Sequence, residues 1–127
     1  MRVVVGSRML KVYIHGKCST CRRAVDWLAA AGIPHETVDI REEPPTPDEL
    51  RTALRTSGKA LTSVANTSGM DYRAQGLKDK LPAMSEDEAL ELLSANGMLV
   101  RRPFAIDTGK GIALAGFSEK TWAGHFG

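Results

Sequence analysis

Apolar positions change their period several times along the chain, and each change predicts an element. Leu10 to His15 is rich in strand-forming residues and predicts a first strand. Ala24, Val25, Leu28 and Ala31 then recur at helical spacing, which predicts a helix over about Ser19–Ala31, with Gly32 placed to end it in a left-handed conformation. Thr37, Val38 and Ile40 make His35–Ile40 a second strand. A β-α-β opening predicts two parallel strands joined by a right-handed crossover. Thr46-Pro47-Asp48-Glu49 combines an N-cap, a proline at the first helical position and a capping box. The helix it opens turns Leu50, Ala53 and Leu54 inward and ends at Ser57-Gly58.

The middle of the chain reads as helical but broken. Ala60–Ala65 is short and apolar, Asn66–Gly69 is turn chemistry, and Tyr72–Lys80 predicts a short helix stopped by Pro82. Ser85-Glu86-Asp87-Glu88 is a second capping box, opening a helix with Ala89, Leu90, Leu92 and Leu93 inward and Gly97 beyond its end. Leu99-Val100 lead to Arg101-Arg102-Pro103; Phe104–Asp107 and Ile112–Ala115 then flank the turn Thr108–Gly111 as a hairpin. A last helix from about Ser118 places Trp122 and Phe126 on one face. The order β-α-β, helices, β-β-α predicts an α/β fold of thioredoxin-like type: a mixed sheet with a helical lobe inserted at about residues 44–97. Residues 10–127 form one domain, and residues 1–9 are an extension with no element to assign.

Composition alters this picture little. Hydrophobic residues make up 43% and charged residues 25%, the proportions of an ordinary globule. A net charge of +2, without basic and aromatic residues interleaved, predicts neither a nucleic-acid nor a membrane partner. No apolar run is long enough to span a bilayer or form a signal sequence, so the expected location is the cytoplasm.

The chemistry concentrates in the two cysteines, Cys18 and Cys21. Both fall on the strand-to-helix turn, where unpaired N–H groups and the helix dipole favour a thiolate. Lys17, Arg22 and Arg23 add positive charge nearby. Cys18 comes first and faces the open N–H groups, so it is the expected nucleophile. Cys21 lies about one turn further on, the natural resolving thiol. A Cys-x-x-Cys in a βαβ setting reads as a thioredoxin-like redox motif; the alternative is a pair of reduced structural thiols. His15, Cys18 and Cys21 are three ligand types where a structural zinc site needs four, so no metal is predicted. His15 either steers the Cys18 thiol or is structural.

Several stretches together resemble the arsenate reductase family. They are Cys18-Ser19-Thr20-Cys21-Arg22, Asn66–Gly69 with Tyr72-Arg73, Gly76–Leu81, Gly97–Pro103 and Gly116-Phe117. The chain is most similar to the branch of small arsenate-reductase-like proteins that includes the Spx-type redox regulators. That resemblance covers about Leu10 to Phe126 and implies a thioredoxin-like core with a helical lobe packed over the active cysteine. By the glutaredoxin-dependent enzymes, Cys18 matches the attacking cysteine, Arg22 the arginine of the same turn, and Arg102-Pro103 the pair that helps bind the oxyanion. Asn66–Gly69 contains no arginine, and Gly116 stands where a further arginine would be expected. The resemblance also implies a cis Pro103, whereas the residues alone favour a trans proline opening an edge strand.

Three functions follow. The first is a thiol oxidoreductase acting on a small oxyanion such as arsenate, or on a disulfide or mixed glutathione adduct. It would need no bound cofactor, only an external thiol reductant (glutathione with glutaredoxin, or thioredoxin) and a redox partner protein. The second is an Spx-type regulator, in which the thiol pair is a switch and the partner is RNA polymerase. The third is a non-catalytic binding protein on the same fold.

Overall fold

The computed structural model describes residues 9–126. Strand β1 is Leu10–Ile14, helix α1 Ser19–Ala30 and strand β2 His35–Asp39. Helix α2 is Pro47–Ser57, α3 Met70–Ala74, α4 Leu77–Lys80 and α5 Glu86–Ala95, with short 3-10 turns at Leu61–Val64, Leu81–Ala83 and Gly97–Leu99. Strands β3 (Phe104–Asp107) and β4 (Ile112–Ala115) and helix α6 (Glu119–Phe126) complete the chain. The sheet order is β2-β1-β3-β4, with β1 and β2 parallel and the other pairs antiparallel. The mixed sheet and inserted helices are those the order of elements predicts. Of the N-terminal extension only Met9, in a bend before β1, lies within the described residues.

Alternation along the strands divides the core between the two faces of the sheet. Leu10, Val12, Ala105 and Leu114 meet Ala24 and Leu28 of α1 and Trp122 of α6 on one face. Tyr13, Phe104, Ile106 and Ala113 meet α2, α5 and the rest of the lobe on the other. Both predicted capping boxes form, at Thr46 with Glu49 and at Ser85 with Glu88. Leu92 is half-buried at the margin of the core rather than fully inside it.

Three expectations need correction. Tyr72–Lys80 is not one helix: α3 begins earlier, at Met70, and Gly76 takes φ +64° between α3 and α4, a left-handed turn that an α-helix cannot continue through. The first two strands stop one residue short, at Ile14 and Asp39, although Ile40 N–H still bonds to Ile14 O at 2.8 Å. Pro103 leads into a central strand, not the edge strand that the residues alone favour, and its peptide bond with Arg102 is cis, as the resemblance implies. It is tolerated there because it precedes the ladder and offers only its carbonyl, which accepts from Gly116 N–H at 2.8 Å.

Glu49 does more than close a capping box. Its carboxylate also accepts from the Tyr13 hydroxyl at 2.7 Å and pairs with Lys11 Nζ at 2.7 Å, tying α2 to β1. Burial opposes its ionisation, but the bonds from Lys11, Tyr13 and Thr46 N–H outweigh that and hold the carboxyl below the usual range. Burial and the bond to Glu49 push the Tyr13 hydroxyl up to about 12. A carboxyl with a depressed folded pKa stabilises above its unfolded value of about 4.3 and loses that contribution as pH falls through the folded value. Glu49→Gln should therefore cost on the order of 2 kcal/mol at neutral pH. Urea unfolding should show that deficit shrinking below about pH 4; a deficit independent of pH would show that the charge contributes nothing.

Candidate functional site

The turn between β1 and α1 holds Cys18 where its sulfur can serve the helix. Cys18 N–H bonds to His15 O at 3.0 Å, closing the turn, and Cys18 becomes the N-cap of α1. Its Sγ accepts from Cys21 N–H at 3.1 Å, taking the place usually filled by a serine or aspartate oxygen. A helix N–H thus points at sulfur from the positive end of the helix dipole, an arrangement that stabilises negative charge there. Cys18 is partly exposed; Cys21, in the first helical turn, is 1% exposed. Neither is in a disulfide.

The two thiols are unequal. Burial pushes the Cys21 thiol up to about 12, and its hydrogen bond with Cys18 adds to that; a backbone bond at His15 and the charge of Arg102 pull the other way. Cys21 is therefore a protonated, sheltered thiol beside a partly exposed sulfur. The expected division between nucleophile and resolving thiol has this asymmetry as its geometric basis.

Arg102 lies two residues before β3, near enough for its charge to act on Cys21. Its guanidinium Nη1 rests on Met98 Sδ at 3.2 Å, a weak acceptor that leaves most of the fork unspent. Pro103 beside it is buried. Arg22 is exposed and makes no side-chain hydrogen bond or ion pair among the described residues. Cys18 and Cys21 are thus in contact, the charge of Arg102 reaches Cys21, and Arg22 stands exposed in the first turn of α1. Asn66 directs its amide to Met98 O at 3.4 Å, and a Cβ on Gly116 would stand 3.2 Å from Arg101 Cδ, so neither position supplies a second fork.

Two features escaped the sequence reading. Met98, as the rest for Arg102, had only its i, i+4 spacing to betray it. A cleft of about 560 Å³ lies beside the cysteine turn, lined by His15, Gly16, Lys17, Asp39, Arg41 and Glu42. Its mixed charge arises because the ends of β1 and β2 are neighbours, a pairing that local pattern shows only indirectly. His15 Nδ1 accepts from Lys17 N–H at 3.4 Å, a role within the turn. Among the described residues, no three His, Cys, Asp or Glu side chains gather as metal ligands.

Comparison with known proteins gives these features a lineage. The ArsC family model matches residues 13–124. Uncharacterized protein YusI of Bacillus subtilis is 44% identical over 118 residues, covering 90% of this chain and 98% of that one. Global transcriptional regulator Spx of Listeria innocua is 30% identical over 99 residues, covering 78% of this chain and 74% of the relative. Among solved structures, one from Streptococcus mutans described as a possible arsenate reductase superposes with a TM-score of 0.81 at 39% identity, covering 91% of this chain and 98% of its own.

Proposed function

The chain belongs to the ArsC family, and on that premise we propose that it is a thiol oxidoreductase that reduces a disulfide or a mixed disulfide of glutathione type. The observation that carries this reading is the unequal thiol pair: Cys18 Sγ at the helix N-terminus, with Cys21 buried and protonated one turn behind it. The Cys18 thiolate attacks one sulfur of the substrate disulfide, forming a mixed disulfide and expelling the other half as a thiolate. Cys21 then loses its proton and attacks Cys18 Sγ, releasing the second thiol and leaving a Cys18–Cys21 disulfide. Two electrons pass from the protein to the substrate, and an external thiol reductant of the glutaredoxin or thioredoxin type returns them.

Arsenate fits this site less well. Of the arginines that the resemblance places around an oxyanion, Arg22 and Arg102 are present while Asn66–Gly69 and Gly116 supply none, and a tetrahedral dianion held by fewer forks is weakly bound. The adjoining cleft also carries Asp39 and Glu42, which repel a dianion. Lys17 and Arg41 beside those carboxylates suit a thiol peptide carrying both signs of charge, as glutathione does. A second reading is supported by the Spx relative: the same pair would be a redox switch, and the output would be contact with RNA polymerase.

The test is to mix reduced protein with glutathione disulfide, and separately with arsenate, and to follow the products by mass spectrometry. Glutathione disulfide should yield protein two protons lighter, with no covalent dimer, and arsenate should leave the protein reduced over the same period. A covalent dimer as the main product would remove Cys21 from the resolving role, and faster oxidation by arsenate would reverse the choice of substrate.

A further inference from the structure

The sheet has two edges, and they are finished differently. β2, at one edge, carries Glu36 and Asp39, charges of the kind that discourage an added strand. β4, at the other, reads Ile112-Ala113-Leu114-Ala115 and has neither charge nor proline. The bond from Gly116 N–H to Pro103 O and the register with β3 set the phase of the ladder. Leu114 turns its N–H and C=O toward β3, while those of Ala113 and Ala115 turn outward. Among the described residues, no backbone or side-chain partner takes those outward groups.

This edge lies at the bottom of a groove rather than on an open rim. A cavity of about 490 Å³ runs along it, between Thr56 and Ser57 of α2 on one side and Thr121 and Trp122 of α6 on the other. Ala113 and Ala115 are small and Gly116 has no side chain, so another backbone can come close. The charged side chains lining the groove are Lys59 and Arg101, joined by His125; no carboxylate lines it.

We propose that this groove takes an extended acidic segment of a partner protein, which adds to β4 as a fifth strand. Main-chain bonds to Ala113 and Ala115 supply affinity, and Lys59 and Arg101 select the sign of the side chains. The segment lies along about four residues of β4, roughly 13 Å at ~3.3 Å per residue. A second copy of this chain is disfavoured as the occupant, because a two-fold pairing of β4 edges would bring the same cations face to face. The proposal is independent of the thiol chemistry, since no cysteine lines the groove.

The experiment titrates isotope-labelled protein with a capped hexapeptide alternating glutamate and valine, and with its lysine-and-valine counterpart. The amides of Ala113 and Ala115 should shift and exchange with solvent at least about tenfold more slowly with the acidic peptide, and the basic peptide should bind at least about tenfold more weakly. Lys59→Glu combined with Arg101→Glu should reverse that preference, with unchanged oxidation of the cysteine pair as the check that the variant is folded. An acidic peptide N-methylated at alternate amides tests the same point on the unaltered protein and should lose the protection. Equal responses to both charged peptides, retention of protection by the N-methylated peptide, or a concentration-dependent dimer through β4 would each overturn the proposal.

Discussion

Cys18→Ser should abolish reaction with glutathione disulfide, with a loss of at least about a thousandfold, the scale expected when the nucleophile of a cooperating set is removed. The remaining thiol cannot take over. Cys21 is buried, and burial, the largest cause of its raised pKa, persists when Cys18 is replaced, so it stays protonated and out of reach. Cys21→Ser should behave in the opposite way. Its first step survives, because Cys18 keeps its exposure, its N-cap position and the N–H of residue 21. The second step has no thiol to complete it, so the mixed disulfide should accumulate and persist. Rapid-quench mass spectrometry on the two single variants checks both halves. If Cys18→Ser protein formed the mixed disulfide as fast as Cys21→Ser protein, the two cysteines would have to exchange roles.

The largest effect on stability should come from a single methyl group on Gly97. This glycine is buried at the start of the 3-10 turn after α5, and a Cβ there would collide with Ile40 O. The obstacle is backbone, and Ile40 is itself held by its N–H bond to Ile14 O at 2.8 Å, so no rotamer change relieves the clash. Overpacking of this kind costs about 3 kcal/mol or more, because the lobe must move away from the end of β2. Gly97→Ala should lower the melting temperature by roughly 10 °C in a chain of this size. Gly124→Ala makes the control. It lies in α6 with nothing within 4 Å of the added carbon, so alanine there should be neutral or stabilising by up to about 1 kcal/mol. Equal melting temperatures for the two variants would mean that the contact at Ile40 yields more easily than its geometry implies.

Much of the site was legible before any coordinates. The placement of Cys18 and Cys21 on a strand-to-helix turn follows from an apolar run, a helical period and the spacing of two residues, and the structure keeps it. The pairing of Arg102 with Pro103 was legible only through resemblance, because nothing near position 102 says that its charge acts at position 21. The role of Arg22 likewise came with the resemblance, and the residue stands exposed in the first turn of α1. The single helix expected over Tyr72–Lys80 failed at Gly76, where the backbone turns left-handed and lets α3 pack against both α4 and the turn that follows α5.

What the sequence determined by itself is short in range. Thr46 and Glu49, Ser85 and Glu88, and Gly111 in the β3–β4 turn act within a few residues, so their hydrogen bonds and backbone angles need no distant partner. The alternation in β1 and β3 likewise assigns side chains to faces without saying what covers them. The tertiary structure decided what depends on elements far apart in the chain. It buried Cys21, rested Arg102 on Met98, left no room beside Gly97, and enclosed the β4 edge between α2 and α6. Each of these depends on how closely two separately formed surfaces approach, and a distance of that kind is a property of their packing rather than of either segment's pattern.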